Sequence, residues 1–356
     1  MQFAWIFILV VGAIILAFFV MMVQKHRTIA KEEQILEIRT RLGAILTNAK
    51  QSTGTLFRVT LPKEQMRLDC SGLAIGEKGA LIEMREAFGP DLIKSSTGDT
   101  FLWVVDWSVP FKVDNMLLIT TPNVRYAVAY TPGEVGGEDL LEALPDNLSV
   151  TPLDLTSTSL AEVVQGLSDQ NHYKVRIVRI KEYNGGDPDT EIGTVSPPVQ
   201  ITKPKDKDVT LVAIDIVKQG IGDPLDGYGT VTFYTKQGSS FVKVGEAPYF
   251  GRALLYGAVF SDNFDTYNCT LKKAFGHLRQ VATTLKIRSS ELMNYSIQYS
   301  GWCGDPAQYD PSVNKLNDII ANAVPVGEKM NLLYAAGRQV VGANRALQLK
   351  SCPLIY

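Results

Sequence analysis

The residues able to do chemistry are few, and the cysteines come first. Cys70, Cys269, Cys303 and Cys352 are even in number and show no C-x-x-C spacing, which argues against a zinc knuckle and suits two disulfides formed in an oxidising compartment. Buried free thiols are the alternative reading. Four cysteines allow three pairings, and spacing does not choose among them. Cys269 near a helix start, Cys303 in the loop "GWCGD" and Cys352 after the final helix suit at least one bridge among those three.

The other candidate residues form no motif. His26 follows an apolar run, His172 falls between a helix and a strand, and His277 lies inside an amphipathic helix. With no H-E-x-x-H and no carboxylates arranged nearby in sequence, each histidine is assigned a surface or packing role. "GIGDPLDGYG" (220–229) has the glycine density of a phosphate loop. It lacks G-x-G-x-x-G spacing and a Walker lysine, and it leads into a strand, so it reads as a turn. No G-x-S-x-G elbow occurs. "NGGDPDTE" (184–191) and "SDNFD" (261–265) offer oxygen ligands without EF-hand spacing. The sequence therefore nominates no catalytic residue, cofactor or metal.

The elements that would position these residues begin with "FAWIFILVVGAIILAFFVMMV", the twenty-one residues Phe3 to Val23 without charge or proline. At 1.5 Å per residue they match a hydrocarbon core of about 30 Å. No basic residue precedes them and bulky residues fill their exit, so a retained anchor is expected over a cleaved signal peptide, with membrane lipid as its partner. A helical stalk follows, in which Ile35, Ile38, Leu42 and Ile45 recur at 3, 4 and 3 residues. This seam is expected to pack on the chain's own body, with self-association as the sharper alternative.

Beyond the turn at Gln51–Gly54, "TLFRVTLP", "MRLDC", "ALIEMRE" and "TFLWVVDW" read as antiparallel strands, with Trp103 and Trp107 as core anchors. "MLLITT", "VRYAVAY", "GEDLLEAL", "LSVTPLDL", "SLAEVVQGLSDQ", "YKVRIVRI" and "DVTLVAIDIV" then alternate strand with helix, implying a partly parallel sheet. Ser159 and Glu162 have capping-box spacing. The last hundred residues carry helical periodicity from Asp265 or Thr266 onward. The expected class is α/β (α+β), divided into an anchor (1–24), a stalk (25–50), a β module (51–110), an α/β core (111–262) with an exposed loop at 184–208, and a helical region (263–356).

Charge and composition narrow the function classes. A net charge of −2 and 20% charged residues lack the basic excess of a phosphate-binding surface, so no nucleic-acid partner is expected. Orientation is contested: Lys25, His26, Arg27 and Lys31 after the span favour a cytoplasmic body by the positive-inside rule. The cysteines, with sequons at Asn147, Asn268 and Asn294, favour the extracytoplasmic side, and that side is the expectation.

The apolar start, "RLGAILTNAKQSTGT", "DWSVPFKVDNMLLITTPNVRYAV", "YGAVFSDNFDTYNCTLKKAF" and the final "SCPLIY" together resemble uncharacterised single-pass membrane proteins of small-genome archaea, along the whole chain. The resemblance implies an archaeal cell-envelope setting and carries over no catalytic residue. A weaker resemblance links the long apolar helix and globular head to type IV pilin-like subunits. Trp5 stands where that class has a glutamate, and no basic processing site precedes the span. The functional expectation is a non-enzymatic envelope protein working through protein contacts, as a homo-oligomer or with other partners. A cytoplasm-facing adaptor and a small-ligand receptor or enzyme using the sheet crevice are the alternatives.

Overall fold

The structure, a computed structural model, describes residues 2–49, 51–60, 65–75, 80–84, 86–94, 98–167, 172–198, 208–217, 223–299, 303 and 309–356. Helix α1 (Gln2–Ala49) runs unbroken for 48 residues. Its stretch Phe7–His26 is long and apolar enough to cross a membrane, and none of it is buried against protein. Its last turns meet the body, where Leu42 and Leu46 are buried against Ile82 of strand β4 (Ala80–Glu83). Ile45 is 39% exposed. At this end Leu42 of the expected seam packs on the strand together with Leu46, an i, i+4 ridge, and Ile45 lies outside that contact. The side chains of Ile35 and Ile38 lie outside the described residues.

The remaining strands are β1 (Leu56–Thr60), β2 (Met66–Asp69), β3 (Gly72–Ile75), β5 (Ala87–Phe88), β6 (Leu92–Ile93), β7 (Asp99–Ser108), β8 (Lys112–Thr120), β9 (Val124–Tyr130), β10 (Ser149–Asp154), β11 (Lys174–Glu182), β12 (Asp208–Val217), β13 (Tyr228–Gln237) and β14 (Ser240–Phe250). They form three sheets, ordered β1-β7-β8-β5, β4-β3-β2-β6 and β10-β9-β11-β12-β13-β14. The sheet holding β7 and β8 is apolar on both faces. Phe101, Trp103, Val105 and Trp107 alternate into the largest core, while Leu102 and Val104 face a smaller core shared with β2, β3 and the end of α1. The β7–β8 hairpin spans residue 110, so the division expected there falls inside one ladder. The strand pairs formed within residues 55–107 are antiparallel, as expected, and β5 adds a parallel pair to β8 beyond that stretch.

In the six-stranded sheet β10, β9, β11 and β12 are parallel, and β13 and β14 close it antiparallel. Helices α2 (Gly137–Ala143), α3 (Leu160–Gln165) and α4 (Pro188–Ile192) lie in the connections between the parallel strands. Leu140 of α2 joins the largest core, whereas Leu160 and Val164 of α3 and Ile192 of α4 cover the opposite face. The α3 capping box forms: Glu162 N–H donates to Ser159 Oγ at 3.3 Å, and Ser159 N–H to Glu162 Oε2 at 2.9 Å. The loop expected to be exposed over 184–208 instead buries Ile192 and Val195, because the sheet's second face needs that apolar cover. Residues 199–207 lie outside the described set.

Helix α5 (Arg252–Phe260) has every residue from Ala253 to Phe260 buried and lies against both large sheets. Gly257 permits this: an added Cβ would stand 2.9 Å from the Phe88 ring. Trp103 stacks on Tyr256 at 4.9 Å between ring centroids, and Trp107 Nε1 donates to the Phe250 carbonyl at 2.8 Å. Helices α6 (Phe264–Tyr299), α7 (Asp310–Asn322) and α8 (Gly327–Leu349) complete the body. Asn263, rather than Asp265 or Thr266, starts α6, its Oδ1 accepting from the Asp265 and Thr266 amides at 2.8 and 3.2 Å.

Two cations on neighbouring positions of one face of β11 meet opposite environments. Lys174 is buried and pairs with Asp91 at 3.0 Å, Asp208 at 3.1 Å and Asp262, so one ammonium joins three chain segments. Arg176 is equally buried but forms no ion pair among the described residues. Nη2 donates to the Ala258 carbonyl at 3.0 Å, the guanidinium lies 5.1 Å from the Phe233 ring centre, and Nε and Nη1 find no acceptor among the described residues. Burial pulls its pKa down to about 9. We therefore expect Lys174→Met to lower unfolding stability by about 3–5 kcal/mol, because the buried Asp262 carboxylate loses its counter-charge. Arg176→Met should leave stability unchanged or raise it, since an incompletely satisfied buried charge is replaced by an apolar chain of similar length. Urea unfolding of both variants in detergent checks the pair, and equal losses would refute the distinction.

Candidate functional site

All four cysteines are paired in the structure. Cys70 joins Cys269 with 5.8 Å between Cα atoms, and Cys303 joins Cys352 with 5.6 Å. The first bridge ties the β2–β3 turn to α6 across 199 residues of sequence, and the second ties the segment after α6 to the chain end. Cys70 is presented by a turn built around Asp69. Its Oδ1 accepts from the Ser71 amide at 2.8 Å and from the Ser71 hydroxyl, which with further bonds and the nearby Lys273 charge holds the carboxyl below its usual range. Gly72 completes the turn at φ 144°, where a Cβ would collide with the Ile82 carbonyl.

Beside this bridge a groove of about 650 Å³ opens between α6 and the two four-stranded sheets. Ser71, Glu83, Glu86, Asp114, Lys273 and His277 bring polar groups to its wall. The central contact is between His277 Nδ1 and Asp114 Oδ2, 3.0 Å apart although the residues are 163 positions apart in sequence. Glu86, almost fully buried, brings a third donor, and one ligand atom from each of the three lies within 4.8 Å of the others. The expectation that His277 lacks a carboxylate arrangement is corrected here: the carboxylates come from other strands.

Each member is held by local backbone structure. Glu86 precedes β5, and its carbonyl accepts from Leu117 N–H at 2.9 Å, locking the parallel β5–β8 pair. Asp114 lies in β8, with Oδ1 accepting from the Asn115 amide at 2.7 Å. His277 sits two helical turns beyond Cys269 in α6, and one turn beyond Lys273, whose Nζ donates to the Cys70 carbonyl. Thr270 Oγ1 reaches the Ala87 carbonyl at 3.4 Å, and Phe275 meets the Trp107 ring at 5.7 Å. Gly276 leaves the groove open, with nothing within 4 Å of an added Cβ. Chemically, the arrangement provides an imidazole oriented by a carboxylate, the pairing used for proton transfer or metal ligation.

A second charged cluster lies on the other face of the six-stranded sheet. Buried Arg179 bridges Asp215 and Glu191, the latter at 2.6 Å, and Lys181 adds a bond to Glu191 at 3.1 Å. Burial acts to raise the Glu191 pKa, but the bonds and charges of Arg179 and Lys181 outweigh it and hold the carboxyl low. This network fastens α4 to the sheet. The turn at 220–229 contributes Asp223 and Asp226, which bind Arg252, while residues 218–222 lie outside the described set.

Comparison with protein-family models, with curated proteins and with solved structures returns no match.

The Cys70–Cys269 bridge supports the groove, so its removal has a defined consequence. Cys70→Ser combined with Cys269→Ser should lower stability by about 2–5 kcal/mol. Urea unfolding without reductant measures this, and an unchanged midpoint would show that the pair is not cross-linked in the folded protein.

Proposed function

We propose that this chain is a membrane-anchored protein whose disulfide-bearing α/β head stands on the extracytoplasmic side and acts through protein contacts at the cell envelope. The observation that carries the reading is the geometry of the two cysteine pairs, which uses every thiol in the chain. The apolar stretch of α1 has no protein cover, and the helix continues into the head without a break, so a membrane span here would also be a rigid mount.

One surface supports action by contact. Strand β14 is an edge of the six-stranded sheet, and Val242 and Val244 are exposed on it. The basic residues Lys25, Arg27 and Lys31 argue the other way on orientation, and they define the competing arrangement, a cytoplasm-facing adaptor.

A C-terminal tag, protease added outside intact cells and thiol labelling before and after reduction distinguish the two. The tag should be lost on external digestion, and cysteines should label only after reduction. A protected tag with thiols that label freely after lysis would overturn the extracytoplasmic reading.

A further inference from the structure

The groove beside Cys70–Cys269 has a composition that contact function does not require. Two carboxylates, Glu86 and Asp114, are held close together, one of them 5% exposed, and an imidazole completes the set. Carboxylates brought this close beside an imidazole make a donor set for a divalent cation. The nearby ammonium of Lys273 donates to the Cys70 carbonyl. Two ligand atoms each about 2.1 Å from one ion stand about 3.0–3.4 Å apart. The 3.0 Å between His277 Nδ1 and Asp114 Oδ2 falls in that range.

We propose that Glu86, Asp114 and His277 bind a divalent transition-metal cation, with its open coordination positions facing the groove. The donor set of one imidazole nitrogen and two carboxylate oxygens suits zinc or manganese, and the imidazole disfavours calcium, which takes oxygen ligands. Three protein ligands with space beside them are the pattern of an accessible site rather than a closed structural one. The space is present: the His277 side chain is 37% exposed, Asp114 21%, and Gly276 adds no side chain to the groove. The ligands are also preset. Glu86 is fixed by the β5–β8 pair, Asp114 by its bond from Asn115, and His277 by the anchoring of α6 through Cys269 and Thr270.

The test uses the full chain in detergent, treated with chelator and titrated with Zn²⁺ by calorimetry. One equivalent should bind, and His277→Ala and Asp114→Asn should each weaken binding at least about tenfold. Glu83→Gln, on the groove wall outside the triad, should retain it. Absence of saturable binding up to millimolar Zn²⁺, or binding that both triad variants keep, would overturn the site. Because a triad variant could fail to fold, a second measurement uses the unaltered protein. With only three histidines in the chain, substoichiometric Mn²⁺ should broaden the His277 imidazole resonances and spare those of His172. Broadening of His172 alone, or of neither residue, would equally refute the proposal. The outcome is independent of which side of the membrane the head occupies.

Discussion

The seating of α6 on the β7–β8 sheet is the constraint on which the rest of the head depends. Leu271, Ala274, Phe275 and Leu278 bury one stripe of that helix in the largest core, and Phe275 meets Trp107 of β7. The stripe fixes the helix's rotation, and rotation decides what the flanking positions face. Cys269, Lys273 and His277 recur at four-residue spacing and so form one ridge beside the buried stripe. Cys269 is bonded to Cys70, Lys273 donates to the Cys70 carbonyl and His277 meets Asp114. A rotation of one residue, about 100°, would break all three contacts at once.

Charge inside this fold follows a related logic. The parallel strands are covered on both faces, and apolar runs are the expected solution for such strands. Strand β11 departs from it with Lys174, Arg176 and Arg179, all buried. Lys174 and Arg179 each gather carboxylates from outside their own strand, so their burial joins separate chain segments: Asp91 and Asp262 for one, Glu191 and Asp215 for the other. Arg176 gathers none and rests on an aromatic face and one carbonyl. The two paired cations act as registration points between modules, whereas the third stands as a local cost within an otherwise apolar layer.

Local signals made much of this architecture readable. The strands β9 to β12 announced themselves as short β-branched runs between turn residues, the Ser159–Glu162 spacing marked the start of α3, and a continuous 3–4 repeat marked α8. Helix α5 was not legible, because a helix buried on every side has no periodic contrast to detect. The pairing of β7 with β8 across residue 110 was not legible either, because sheet partnership is a long-range property and apolar character on both faces of β7 conceals it. The groove was the least legible feature. His277, Asp114 and Glu86 come from a helix and two strand segments far apart in sequence, and no local spacing links them. A signal did exist in the ridge Cys269–Lys273–His277, which would place the histidine beside whatever Cys70 approached once that disulfide was known.

The position of α1 gives this groove a mechanical context. A second cavity, of about 240 Å³, separates the end of α1 from the body and is lined by Leu46 and Thr47 on one side and Ile82, Glu83, Met84 and Glu86 on the other. Glu83, Met84 and Glu86 also line the groove that holds His277. The same short segment is therefore shared by the seat of the membrane helix and the polar groove. Leu42 and Leu46 press on β4 from one side, and Glu86 faces Asp114 and His277 from the other. The tether and the groove thus share one wall, the segment that carries Glu83, Met84 and Glu86, and the bond from Leu117 N–H to the Glu86 carbonyl holds that wall to β8.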